Sequence, residues 1–269
     1  TVFSYIPNTA EISFLGMMSG VEDYLISKRK EIIIDHKPTA DSLEDLLTFK
    51  PRIEKLVLKD AKLRTFIADA SHRDELVAHV YDTTFEVIQK DRDSLVIIDD
   101  SIVRGTTLEK SILTLLDNLN PKKIVIISSA PQIRFPDCYG IDMSKMKDFV
   151  AFRAVLALLI DEGKEYLLED VLEKCLAVKD KVNEVNYVKE LYAPFSYDQV
   201  SQKIGEIVKP KKMKAVLEVV FQTVEGLHKA CPDHLGDWYF TGDYPTKGGN
   251  SVVNTAFINF MKGVEVRAY

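Results

Sequence analysis

The stretch Asp99-Asp100-Ser101-Ile102-Val103-Arg104-Gly105-Thr106-Thr107 places two adjacent carboxylates, three hydroxyls, one guanidinium and a glycine within a few residues of an apolar run, Leu95 to Ile98. A glycine that can take conformations closed to other residues, followed by two threonines at the start of a helical pattern, makes an anion site. The unpaired N–H groups of a first helical turn point outward, and the hydroxyls add donors. Two carboxylates just upstream suit ligand hydroxyls or a magnesium ion. The ligand chemistry implied is a phosphate at one end and hydroxyls or a metal at the other, as in a sugar phosphate. A lone pair of aspartates would read more simply as a helix cap neutralised by Arg104, but the whole stretch after a buried strand favours the ligand site. Gly105 stands alone, so neither GxGxxG nor GxxxxGK[ST] is present, and the phosphate loop is of another kind.

The elements that must position this stretch are legible around it. Leu95–Ile98 is a continuous apolar run suited to a strand buried on both faces. From Thr107, the spacing of Leu108, Ile112, Leu115, Leu116 and Leu119 predicts a helix that ends before Pro121, and "KKIVIISSAP" predicts another buried strand. Strand, helix and strand in so short a span form a βαβ unit, hence a parallel sheet whose ligands bind beyond the carboxyl ends of its strands. Val2 to Pro7 predicts a strand leading through Pro7-Asn8-Thr9 into a helix carrying Ile12, Phe14, Leu15 and Met18. Residues 25–54 are charged and irregular in period, with a capped short helix from about Ser42, and read as an insertion or lid. "IEKLVLKD" and "LRTFIAD" are strand-like. Beyond Met146 the pattern is helical in "FVAFRAVLALLIDEGKEYLLEDVLEKCLAV" and in "KKMKAVLEVVFQTVEGLHKA". The expected fold class is α/β, a mainly parallel sheet flanked by helices, with a core over 1–146 and a mainly helical extension over 147–269.

Composition narrows the function classes. The 269 residues, 46% hydrophobic, can bury a real core. A net charge of −6 with interspersed signs offers no broad basic surface for nucleic acid or anionic lipid. Cys138, Cys175 and Cys231 are odd in number and lack CxxC spacing, which argues against a disulfide framework, a zinc site or an iron-sulfur cluster and fits a reducing cytoplasm. No run approaches the roughly 18–20 apolar residues of a membrane span. Thr1 rather than Met heads the chain and a strand follows at once, so the sequence reads as part of a longer polypeptide. His36, His72, His79, His228 and His234 share no helical spacing and read as surface or core residues. Asp137 and Asp142 around Gly140 read as turn residues, and Trp238, Tyr239 and Phe240 as packing.

With these residues in view, "DDSIVRGTT" resembles the phosphoribosyl diphosphate (PRPP) loop of type I phosphoribosyltransferases, and its SIVRGTT form resembles that of the amidophosphoribosyltransferases. "SSAPQIRFPDCYGIDM", "RTFI", "IPNT" and "FTGDYP" resemble, respectively, that family's stretch after the next strand, its flexible catalytic loop, its pyrophosphate loop and a segment near its C-terminus. The resemblance implies a type I phosphoribosyltransferase fold and the formation of 5-phosphoribosylamine and pyrophosphate from PRPP and ammonia, the first step of de novo purine biosynthesis. It implies that Asp99 and Asp100 hold the ribose hydroxyls and magnesium, and that Ser101, Ile102, Val103, Arg104, Gly105, Thr106 and Thr107 wrap the 5′-phosphate. Pro7, Asn8, Thr9, Ala10 and Glu11 would cradle the pyrophosphate, with Thr9 a magnesium contact. Arg64, Thr65 and Arg73 would belong to the loop that closes over PRPP.

The resemblance further implies an N-terminal glutaminase domain of the same polypeptide as ammonia source, purine nucleotides as inhibitors and a homo-oligomer. The glutaminase half's cysteine nucleophile has no counterpart here, so this chain would at most use free ammonia. One branch of the family carries a [4Fe-4S] cluster on a CxxC before "FTG", but "GDWYFTG" lacks that motif and no cluster is expected. Val80 stands where the family has a lysine expected to meet pyrophosphate, Ala10 stands where a serine is common, and an insertion precedes "RTFI". These departures keep open a PRPP- or nucleotide-binding regulatory module with weakened turnover. The generic loop also permits a salvage phosphoribosyltransferase.

Overall fold

The computed structural model describes every residue except 60–80, 85–86, 139–142, 180, 182–184, 235 and 269. The architecture is α/β, a mostly parallel five-stranded sheet flanked by helices. In chain order, β1 (Val2–Tyr5), α1 (Ala10–His36), α2 (Ala40–Thr48), β2 (Arg52–Ile53), β3 (Val57–Lys59), β4 (Tyr81–Thr83) and β5 (Ser94–Asp99) come first. A π-helical turn, Leu108–Ile112, then leads into α3 (Leu113–Asp117) and β6 (Lys123–Ser128). The remainder comprises α4 (Val150–Asp161), α5 (Tyr166–Ala177), α6 (Lys189–Tyr192), α7 (Tyr197–Val208), β7 (Val216–Phe221), α8 (Val224–Ala230), α9 (Trp238–Thr241) and α10 (Lys247–Met261). The sheet order is β2-β1-β5-β6-β7, and β3 and β4 form a separate antiparallel pair.

Two compact units divide the chain. The first comprises Thr1–Asp100, Ser111–Ile127 and Met213–Val216. Within it, β1 pairs in parallel with β2 (Val2 opposite Arg52) and with β5 (Val2 opposite Leu95, Tyr5 opposite Ile98). Alternation along β1 buries Val2 and Ser4, and the Ser4 hydroxyl accepts from the Leu56 amide at 3.1 Å. Helix α1 docks through Ala10, Phe14 and Met18 against Ile98, with Phe3, Tyr5, Met17, Val21 and Ile127 around them. Burying these side chains stabilises the unit by about 1.5–3 kcal/mol for each large one. Arg52 and Asp93 pair at 2.8 Å, and Asp93 also accepts from the Gln89 amide at 2.8 Å.

The second unit comprises Ser101–Lys110, Ser128–Lys212 and Leu217–Tyr269. Helices α4 and α7 carry much of its core, including Val150, Ala154, Val155, Val200, Ile204 and Val208, all fully buried. Phe152 of α4 meets Phe257 and Phe260 of α10 edge to face. Helix α7 starts at a capping box in which Ser196 and Gln199 each satisfy the other's backbone amide.

Several local expectations are revised. The residues from 25 to 36 continue α1 without a break, and α2 begins at Ala40, capped by the Thr39 hydroxyl. The helix after Thr107 contains the π turn, which brings Leu113 into the core and leaves Leu115 half-buried. The segment from Lys211 to Ala230 is not one helix: Val216–Phe221 is a strand and only Val224–Ala230 is helical. The β-branched Val216, Val219 and Val220 suit an extended chain, and a place beside β6 was open to them, so sheet pairing prevailed over an apolar spacing that either structure can satisfy. The extension beyond residue 146 therefore contributes a strand to the sheet. The strand-like "LRTFIAD" lies outside the described residues.

Candidate functional site

In the first unit, β1 and β5 run side by side in the same direction, so the loops that follow them leave the same edge of the sheet. The ladder extends one residue past β1, where the Ile6 amide donates to the Ile98 carbonyl at 2.9 Å. This brings Pro7–Glu11 and Asp99–Asp100 to one strand end, where the sequence placed them. Asp99 is the last residue of β5 and half-buried, and its Oδ1 accepts from the Asp100 amide at 2.9 Å. Pro7 is buried, whereas Asn8, Thr9 and Glu11 are exposed, and the Pro7–Asn8 peptide is cis.

The first turn of α1 is exposed at Thr9 and Glu11. Thr9 sits at its N-cap without a side-chain capping bond, so its hydroxyl is not committed to the helix. Glu11 lies in that turn, where a carboxylate benefits from the helix dipole. The Tyr5 hydroxyl donates to its Oε1 at 2.9 Å. Burial first, and this carboxylate second, push the Tyr5 phenol above its ordinary value, so it stays a donor at neutral pH. Ala10 faces inward, 1% exposed.

In the second unit, the loop from Ser101 to Thr107 is fixed from behind. Ile102 is buried, the Val150 amide donates to the Val103 carbonyl at 2.8 Å, and Arg153 Nη2 donates to the Arg104 carbonyl at 2.5 Å. Arg104 pairs with Asp148 at 3.6 Å. Gly105 has φ +73°, and a Cβ built there would lie 2.6 Å from Val208 Cγ1. Only glycine accepts both that conformation and that contact. Helical structure begins at Thr106, and the Glu109 amide donates to the Gly105 carbonyl at 3.0 Å. The backbone amides of Gly105 to Thr107 thus head a helix with their carbonyls turned the other way, the arrangement anions bind.

Arg64, Thr65, Arg73 and Val80 lie outside the described residues. What sequence reasoning missed is the support behind the loop: Asp148, Val150 and Arg153 carry no motif and stand more than 40 residues from Arg104. Tyr5 likewise gave no signal, since a strand tyrosine ordinarily reads as packing. Among the described residues no group of three or more His, Cys, Asp or Glu side chains could hold a metal by itself, and no helix is long and apolar enough to cross a membrane.

Fold and loops define an α/β protein with paired carboxylates at a strand end and a glycine turn that heads a helix. No family model matches the chain. Its sequence is similar to the amidophosphoribosyltransferases of Pasteurella multocida (34% identity over 137 residues, 46% of this chain and 27% of that protein) and Lachancea kluyveri (34% over 135 residues, 46% and 26%). The Escherichia coli amidophosphoribosyltransferase is 45% identical over 58 residues, 22% of this chain and 11% of that protein. The chain spans about a quarter of the length of the first two. Among solved structures, the glutamine PRPP amidotransferase of B. subtilis complexed with ADP and GMP superposes with a TM-score of 0.47 at 20% identity, over 91% of this chain and 38% of that one. In sequence, the chain is similar to the amidophosphoribosyltransferases over part of their length.

Proposed function

We propose that this chain is the phosphoribosyl-transfer portion of an amidophosphoribosyltransferase, forming 5-phosphoribosylamine and pyrophosphate from PRPP and ammonia. The observation that carries this reading is "DDSIVRGTT", set after a central parallel strand whose neighbour leads into the second anion-binding turn. Ser101–Thr107 would hold the 5′-phosphate through backbone amides, Asp99 and Asp100 the ribose hydroxyls, and Pro7–Glu11 the diphosphate. The ammonia nitrogen forms the new bond to C1, the C1–O bond breaks with its electron pair leaving on pyrophosphate, and the extra proton on nitrogen passes to solvent. Positive charge develops on the ribose ring, where the carboxylates at the end of β5 stabilise it, and negative charge develops on the leaving group, where helix-terminal N–H groups do so.

Asp99, Asp100 and Thr9 supply hard oxygen donors from partly exposed positions in the first unit. So small a protein donor set leaves room for water and substrate oxygens and therefore fits magnesium. When bound, that ion would neutralise the departing diphosphate. Glutamine-derived ammonia, purine nucleotide inhibition, self-association and a cytoplasmic setting belong to the same proposal.

The test is pyrophosphate release by the purified chain with magnesium, PRPP and concentrated ammonium at alkaline pH, compared with a D99N/D100N variant. The variant is expected to be slower by about 10²-fold or more. Equal rates, with the variant folded, would discard the reading. One observation favours a second reading, a sensor that binds PRPP or nucleotide without turnover: Ala10 packs into the apolar cluster with Phe14, Met18 and Ile98 and offers no hydroxyl at the diphosphate turn. Saturable binding by calorimetry without pyrophosphate release would favour it.

A further inference from the structure

Arg134 of the second unit is a cation held in a prepared socket. Its guanidinium lies over two aromatic rings, 5.1 Å from the centroid of Tyr192 and 5.2 Å from that of Tyr197. Its Nε and Nη2 both donate to Gln132 Oε1, at 3.0 and 2.7 Å. Gln132 is fully buried and fixed in its turn: its Nε2 donates to the Tyr197 carbonyl at 2.9 Å and the Ser201 hydroxyl at 2.7 Å. The Tyr197 hydroxyl receives the Gln132 amide and donates to the Gln222 carbonyl, while the Tyr192 hydroxyl donates to the Arg134 carbonyl.

The partners that Arg134 has in this network are all neutral. No carboxylate among the described residues forms an ion pair with Arg134. Burial, the foremost influence, pushes its guanidinium below the ordinary value, while burial raises both tyrosines, so neither becomes a compensating phenolate. A largely desolvated charge without a counter-ion is costly, and folding chains seldom retain one without a use. The Nε–Nη2 edge is taken by Gln132, whereas Nη1 has no hydrogen bond among the described residues and is not among the buried unpartnered atoms, so the Nη1–Nη2 edge is the place for a partner. That edge presents two parallel donors, the geometry that recognises an oxyanion in bidentate fashion.

We infer that Arg134, oriented by Gln132 and by the Tyr192 and Tyr197 rings, is the centre of an oxyanion-binding site for a phosphate or carboxylate group, separate in its residues from the loop Ser101–Thr107. Recognition rests on one pre-oriented fork, so the affinity expected for a simple anion is modest, in the millimolar range, with saturation its signature.

The experiment compares thermal unfolding of the full chain and an R134M variant at constant ionic strength, in a buffer free of oxyanions and then with increasing inorganic phosphate or, separately, acetate. Without oxyanion the two baselines are simply recorded, since R134M removes a desolvated charge but also strips the buried Gln132 Oε1 of its donors. With phosphate or acetate, the unaltered chain should gain a saturable few degrees that R134M lacks, and the anion that acts identifies the ligand class. Any contribution from the Ser101–Thr107 loop is common to both proteins and drops out of the difference. Equal responses to both anions in the two proteins overturn the inference. Should R134M fail to fold, the guanidinium 15N resonances of Arg134 in the unaltered chain, followed through a phosphate and an acetate titration, give the same decision: a saturable shift with either supports the site, and constancy with both removes it.

Discussion

Replacing Gly105 with alanine tests how the turn at residues 105–107 is held. Two independent costs follow from the structure. At φ +73°, a residue bearing a Cβ pays about 1–2 kcal/mol for the left-handed conformation. The added methyl would also stand 2.6 Å from Val208 Cγ1 and 3.5 Å from Val150 Cγ2, and both valines are fully buried, so neither can swing into solvent. Overpacking of this kind costs about 1–3 kcal/mol, giving a total of about 2–5 kcal/mol. Urea unfolding of G105A, V208A and the double variant separates the two. V208A alone should lose about 1–3 kcal/mol for its missing methyl groups. In that background G105A should cost less than in the unaltered chain by about 1 kcal/mol or more, since the contact is relieved while the dihedral cost remains. Under the proposed function, G105A should also weaken PRPP binding, because the amides of residues 105–107 move with the loop. A destabilisation below about 0.5 kcal/mol, or strict additivity of the two substitutions, would refute the claim that α4 and α7 fix this turn.

Other outcomes follow from the same physics. Asp93 is buried, which by itself would raise its carboxyl, but the Gln89 amide and Arg52 outweigh that and hold it below the ordinary value of 3.8. Because the folded value is the lower one, the pair contributes fully above about pH 4 to 5 and is lost as pH falls through the folded value. D93N should therefore be less stable than the unaltered chain by about 1.5–3 kcal/mol at pH 7, and the gap should close during acid titration followed by circular dichroism. Cys175 is fully buried with its thiol pushed up to about 12, chiefly by burial, whereas Cys231 is exposed. A thiol reagent at pH 8 should label Cys231 in the native chain and reach Cys175 only on unfolding, as peptide mapping would show. Substituting alanine for Ser196 should cost α7 about 1 kcal/mol through loss of the capping box, read from urea midpoints.

Much of the α/β architecture was legible because its signals are local. The apolar run at Leu95–Ile98, the glycine and threonines after it and the proline-marked turn at Pro7 act through dihedral preference and burial, which depend on neighbours in the chain. The strand at Val216–Phe221 was misread because its apolar spacing also fits a helix, and pairing with a distant strand decided the matter. The π turn at Leu108–Ile112 was equally invisible, since it adjusts which leucines face the core.

By itself, the sequence determined the chemistry on offer: paired carboxylates, a glycine and two threonines at a helix start, and a parallel sheet whose strand ends would present them. Tertiary structure alone decided what holds that chemistry in place. Arg153 and Val150 reach the carbonyls of Arg104 and Val103 from a helix more than 40 residues away, and Val208 closes the space that forbids a side chain at residue 105. The same holds for the Arg134 socket, assembled from residues up to 90 positions apart, from Gln132 to Gln222. Such contacts depend on which surfaces meet when the chain packs, and no periodicity along the chain encodes them.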